Sequence, residues 1–233
     1  MTIKKLNGDC SWLWNWEGIK IMVDPWFSPS QVDFYPLFSE QFHVTPQPRV
    51  EELERPDYIF ISHPFTDHCN KETLLQCDPL IPVIASKKIL RKIRRLNHFE
   101  KLLNLEQAPI QISRLMPSIF PDPAHEAFLF CNEGIRLLYA PHGSRAKNLP
   151  KADVLITTTT MYKLPFWLGG TVNLGHNHAK SMKEKCGAKW LITTHDERKN
   201  GTGIVESLAQ KEYARNNGDW IELLEKEEFD IKK

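Results

Sequence analysis

Residues 57–68 read Asp-Tyr-Ile-Phe-Ile-Ser-His-Pro-Phe-Thr-Asp-His, an apolar run that ends by delivering His63, Asp67 and His68 within six residues. Imidazole and carboxylate are the ligand types that zinc, iron and manganese take. Three more histidines sit beside apolar runs. His142 follows residues 135–140 in Tyr-Ala-Pro-His-Gly, His195 follows 191–194 in Ile-Thr-Thr-His-Asp, and His125 precedes 127–131. Strand ends that finish in histidine, together with Asp67 and His68, predict one convergent metal site. Simpler roles exist for each. Asp67 and His68 taken alone also read as a helix-capping pair with His63 at the surface beside Pro64. His142 and His195 also read as strand-end residues, and His125 as ordinary loop chemistry. His176 and His178 lie two apart at a helix start, so they share no helical face and read as a cap and a surface side chain. His43 and His98 carry no pattern, and Cys69 reads as a buried thiol behind the site.

The elements that must position these groups follow from periodicity. Cys10, Trp12, Trp14 and Trp16 alternate with smaller or polar residues, which is strand spacing. Gly18 turns that strand into 19–23, a hairpin, and Asp24-Pro25-Trp26 breaks it into a long loop reaching about residue 48. With Phe27, Phe34, Tyr35, Phe38 and Phe42, that loop either shapes a pocket or makes a subunit contact in a homo-oligomer. From residue 57 strands and helices alternate. Strand 57–62 leads to a helix capped by Asn70, strand 81–85 to an amphipathic helix over 86–96. Strands are expected near 101–105, 109–115, 126–132, 135–140, 153–157 and 190–194, with helices over 178–186 and 204–216. This order predicts an α/β fold of two mixed sheets packed face to face with helices outside, ligands gathering at the strand ends.

The 233-residue chain is 41% hydrophobic and 25% charged, with a net charge of +1, so it can build a sizeable core and has no global attraction for nucleic acid. No apolar run approaches a membrane span, and the N-terminus lacks a signal-peptide core. The five cysteines (10, 69, 77, 131 and 186) are odd in number and lack a C-x-x-C pair, which predicts reduced thiols and a cytoplasmic protein. Neither a linker nor a repeat divides the chain, so 1–233 is read as a single domain. The basic helix face Lys87, Lys88, Arg91, Lys92, Arg94 and Arg95 reads as a solvated surface, with an RNA dock as its rival.

In this arrangement the chain resembles the metallo-β-lactamase superfamily. The matching parts are Asp24-Pro25-Trp26 after the second strand, Ser62-His63-x-x-x-Asp67-His68, and His195 near the last core strand. Asp67-His68-Cys69 before a short helix and Pro141-His142-Gly143 are similar to the lactonase-like and plant or cyanobacterial hydrolases of that superfamily. The resemblance spans about residues 8–205 and implies a four-layer αββα sandwich. Two departures stand out. Phe65 occupies the position of the second histidine in H-x-H-x-D-H, and His142 replaces the aspartate that bridges two metals.

Carried over residue by residue, one metal pocket keeps His63 and His125, and the other keeps Asp67, His68 and His195, with His142 added. An imidazole offers one lone pair and cannot bridge as a carboxylate does. The expectation is therefore one divalent metal, zinc with iron or manganese as alternatives, and a second bound only weakly. The resemblance implies a hydrolase acting on a small-molecule ester, lactone or phosphoester, with Asp67 as ligand or proton acceptor and Phe65 as an apolar pocket wall. The alternative is a degenerate member that binds a ligand or partner without hydrolysis, and a nuclease is third.

Overall fold

The computed structural model describes residues 1–118 and 122–232. A seven-stranded sheet runs in the spatial order Glu228–Asp230, Thr2–Lys5, Trp12–Trp16, Ile19–Val23, Tyr58–Ile61, Val83–Ala85, Leu102–Leu103. A five-stranded sheet runs Trp190–Thr193, Val154–Thr157, Ile135–Ala140, Ala127–Asn132, Gln111–Leu115. The two are joined through side chains from both inner faces. Trp14 packs edge-on against Phe130 and Tyr139 with centroids 5.1 and 5.4 Å away, and Phe60 packs edge-on against Phe128 and Phe130. Such pairing adds to the area these rings bury.

Helices cover the outer faces. α1 (Lys71–Gln76) and α2 (Lys87–Arg94) bury Leu74, Ile89, Leu90 and Ile93 against the first sheet. On the far side, α3 (Gly175–Cys186) buries Ala179, Met182 and Cys186 against the second. The result is a four-layer αββα sandwich, the fold implied by the resemblance. Asn70 caps α1, its side chain accepting from the backbone N–H of Thr73, as its position before the helix predicts.

Two expectations need correction. Residues 26–48 are not a plain loop: Ser30–Asp33 and Ser39–Phe42 form a hairpin, and Asn200–Thr202 adds to it as a third strand. Their sequences carry polar residues on both faces of a small, partly buried sheet, so the apolar alternation that marks a strand is missing. The helix expected over 204–216 stops early. α4 covers Gly203–Leu208, and Gln210–Glu212 instead pairs with Met161–Lys163, which also pairs with Thr171–Leu174. Tertiary pairing overrides a weak helical pattern there. Among the described residues no helix is long and apolar enough to cross a membrane.

Candidate functional site

Parallel pairing aligns the carboxyl ends of the central strands. Ile19–Val23 is parallel to Tyr58–Ile61, while Ile135–Ala140, Val154–Thr157 and Trp190–Thr193 are mutually parallel neighbours. Asp24, Ser62-His63, His142 and His195 each lie just past one of these ends, so the sheets bring them together. Asp24 and His195 have φ of 46° and 61°, left-handed backbone that costs on the order of 1 kcal/mol per non-glycine residue.

His63, His68, His142, His195 and Asp67 are all buried. Ligand atoms of His63, His68 and His142 lie within 4.8 Å of one another, and so do those of Asp67, His68 and His195. His68 belongs to both groups. His63 thus stands with His68 and His142 rather than in a separate pocket with His125. His125 is outside both groups, its Nδ1 2.6 Å from Asp122 Oδ1, although it lines the same cavity. Cys69 is a buried thiol in the core. His178 bonds the carbonyl of Ser144, and His98 that of Cys77.

Each of the four clustered rings is held through its Nδ1. His68 donates to Asp24 Oδ2 at 2.9 Å, His195 to Asp9 Oδ1 at 2.7 Å, and His142 to Asn173 Oδ1 at 2.7 Å. Ser62 Oγ gives its proton to Asp24 and accepts from His63 Nδ1 at 2.7 Å. With Nδ1 as the donor, neutral His63 and His142 each carry a lone pair on Nε2. Yet His68 Nε2 and His142 Nε2 face one another at 3.0 Å, His195 Nε2 faces Asp67 Oδ2 at 3.3 Å, and His63 Nε2 is buried without a partner. Two such nitrogens 3.0 Å apart need a positive charge between them, either a proton on His68 or a metal cation. The donor set, imidazoles plus one carboxylate with each outer nitrogen anchored, fits a divalent metal.

Electrostatics divide the four rings. Burial, reinforced by the neighbouring histidines, holds His63 and His142 well below the usual imidazole range, so both are neutral. Burial also opposes charge on His68, but Asp67 and Asp24 outweigh it and raise its pKa. Burial opposes ionisation of Asp67, and His68, His195 and Lys199 more than compensate, leaving it below the usual carboxylate range. Asp9 is likewise driven well below that range: desolvation is overcome by His195 and by Lys199, whose ammonium lies 3.0 Å away.

Several positioning groups escape the sequence reading. Asp24 is legible only as part of a turn, yet its buried carboxylate accepts from Ser62 N–H and Oγ, His68 and Tyr139. Asp9, Asn173 and Lys199 sit in unremarkable local sequence and have no signal outside the tertiary structure. Asp196 beside His195 accepts from Thr158, Thr159 and Thr160, fixing the turn after Val154–Thr157.

Above the cluster opens a cavity of about 680 Å³. Phe65 forms part of its wall, lying parallel to His63 at 6.0 Å and edge-on to His142 at 5.8 Å. Two hairpins flank it, one bearing Phe34 and Phe38, the other Leu164 and Leu168.

The isothiocyanate hydrolase from Delia radicum gut bacteria has a similar structure, with a TM-score of 0.65 at 13% identity over 84% of each chain. A metallo hydrolase from Ignicoccus hospitalis superposes with a TM-score of 0.58 at 13% identity, and the short form of human tRNase Z with 0.57 at 15%, each over 100% of both chains. Similarity at this level establishes the shared fold. No curated protein matches the sequence significantly. The sequence model of the beta-lactamase superfamily domain matches residues 2–195, which include every clustered ligand atom, and the chain therefore belongs to the metallo-β-lactamase superfamily.

Proposed function

We propose that this chain is a metal-dependent hydrolase that cleaves an ester, lactone or phosphoester in the cavity above the histidine cluster. The observation that carries this reading is the convergence of His63, His68 and His142, and of Asp67, His68 and His195, each set within 4.8 Å, with the Nδ1 atoms of His68, His142 and His195 committed to acceptors. His63, His68, His142, Asp67 and His195 would hold a single divalent cation, zinc first, with iron or manganese as alternatives. When bound, it supplies Lewis acidity and lowers the pKa of water.

The residues do the rest. Asp24 and Asp9 fix the ring planes of His68 and His195, and Asn173 fixes that of His142. Asp67, ionised at neutral pH, offers a carboxylate oxygen 3.3 Å from His195, placed to accept the proton that an attacking water gives up. Phe65 closes the side where a further ligand would stand and shields the reacting centre from water. With a single carboxylate among the donors, the cation keeps more of its charge for the substrate. All five cysteines are free thiols, in keeping with a reducing, cytoplasmic setting.

Elemental analysis after chelation and reconstitution tests the reading. About one equivalent of metal is expected, lost in His68→Ala and His142→Ala together with hydrolysis of generic esters, lactones or phosphodiesters. A reproducible two equivalents, or none after supplementation, overturns the ligand set. Metal bound at one equivalent with ligand binding but no turnover would instead identify a binding module.

A further inference from the structure

The walls of the cavity narrow the choice of substrate, taking the hydrolase reading as given. Three lysines and no arginine line it among the described residues: Lys92, Lys199 and Lys211. Lys199 is paired with Asp9 at 3.0 Å, and Lys211 with Glu206 at 2.8 Å. Lys92 is exposed and donates to the carbonyl of Pro64. None of the two deeper ammonium groups is left for a substrate anion. The carboxylates are engaged too, Glu197 with His43 at 2.6 Å, Asp122 with His125 and Arg145, and Asp33 with Thr66 and Ser39.

What the cavity does offer is apolar surface and neutral polar side chains, Tyr162 among them. Phe34, Phe38, Phe65, Leu164, Leu168 and Val205 supply the surface. It continues outward onto the hairpin tips, where Phe34 is 89% and Phe166 96% exposed. Tyr162 lines the cavity, and its hydroxyl is buried without a hydrogen-bond partner. A buried, unsatisfied hydroxyl is costly, and a ligand that accepts from it recovers that cost. Burial and Glu206 push its pKa up, so it stays protonated and can donate.

We propose that the cavity takes an uncharged carboxylic ester or lactone carrying a large apolar group, with the Tyr162 hydroxyl donating to an oxygen of that ester. Phosphodiesters and other anions are disfavoured because Lys199 and Lys211 are already paired, and only the exposed Lys92, bonded to a carbonyl, is in no ion pair among the lining lysines. In the reaction, the oxygen of water bonds to the carbonyl carbon, the bond from that carbon to the alkoxy oxygen breaks, and protons from water leave a carboxylic acid and an alcohol. Each methylene seated against the walls gains up to about fourfold in affinity.

Two readouts test this on the metal-reconstituted full chain: hydrolysis of p-nitrophenyl acetate, octanoate and bis(p-nitrophenyl) phosphate, and calorimetric binding of uncleaved N-ethyl octanamide against octyl phosphate. Octanoate is expected to exceed acetate in kcat/KM by about tenfold or more, mostly through KM, and the amide to bind more tightly than the phosphate. Leu164→Asp should erase the chain-length preference. Tyr162→Phe should weaken amide binding and kcat/KM by about tenfold at unchanged metal content. Preference for either phosphate, or no dependence on chain length, overturns the substrate class while leaving a hydrolase. Unaltered binding and rate in Tyr162→Phe overturns the role of that residue. Tight amide binding without any turnover supports the cavity assignment and defeats the hydrolase reading alone.

Discussion

At the residue scale, the chemistry depends on buried charges that are individually costly and mutually compensating. Asp9 holds His195 on one oxygen and Lys199 on the other, and Lys199 is raised above the usual lysine range because Asp9 and Asp67 outweigh its desolvation. Asp9→Asn leaves Lys199 buried without its partner, and urea denaturation should show a loss of about 3 kcal/mol or more. The double variant Asp9→Asn, Lys199→Met should recover much of that stability while metal affinity stays about tenfold weaker, because His195 has still lost its anionic anchor. Lys5 shows the opposite balance. Its ammonium is buried, bonded to the carbonyl of Asp9 and over the Trp12 ring, and desolvation outweighs Asp9 to bring its pKa down to about 8. Between about 8 and 10.5 the unfolded chain carries a proton that the folded chain lacks, so this group makes stability rise with pH across that window. The rise should amount to about 3 kcal/mol and be absent in Lys5→Met, when unfolding of both proteins is compared from pH 7 to 10.5.

At the scale of elements, the segment between Ile61 and Lys71 that carries His63, Asp67 and His68 is stiffened at its far end by Asn70. Its Oδ1 accepts from Thr73 N–H and from Ser28 Oγ, linking the cap of α1 to the segment after Asp24. Asn70 Nδ2 also donates to the carbonyl of Thr66, so Asn70→Ala should cost about 1–2 kcal/mol in thermal or chemical unfolding, at the upper end of capping effects because three bonds are lost. α4 constrains a different part of the pocket. Gly203 has φ of 90°, and a Cβ there would lie 2.8 Å from the backbone of Leu37 and Phe38, in the hairpin turn that also carries Phe34. Gly203→Ala should therefore shift that hairpin, raising KM for the apolar ester about tenfold with metal content unchanged.

On the scale of the whole molecule, the two sheets meet through an aromatic layer that is continuous with the site. Trp14 packs on Tyr139, and the Tyr139 hydroxyl reaches Asp24 at 2.8 Å, one bond from His68. Trp14→Ala should cost about 3–5 kcal/mol, seen as a lower denaturation midpoint, because a ring of that size leaves a void between sheets that cannot collapse fully. Much of this layer is legible beforehand: Trp12, Trp14 and Trp16 alternate as a strand should, and their burial follows. The Phe34 hairpin is not legible, because its strands pair in a small sheet with polar residues on both faces, and no period marks them.

The sequence by itself determined the strand–helix rhythm, the Asn70 cap and the clustering of histidines at strand ends, since each is written in local spacing or side-chain type. His63, Asp67 and His68 were readable for that reason, being close in the chain. Only the tertiary structure decided which histidines share a centre. It placed His63 with His142, 79 positions apart, and left His125 with Asp122. It also decided the tautomers, through Asp24, Asp9 and Asn173, whose roles exist only across long separations. The convergence of imidazole nitrogens that points to a metal arises from parallel strand registers, and no local pattern records a register.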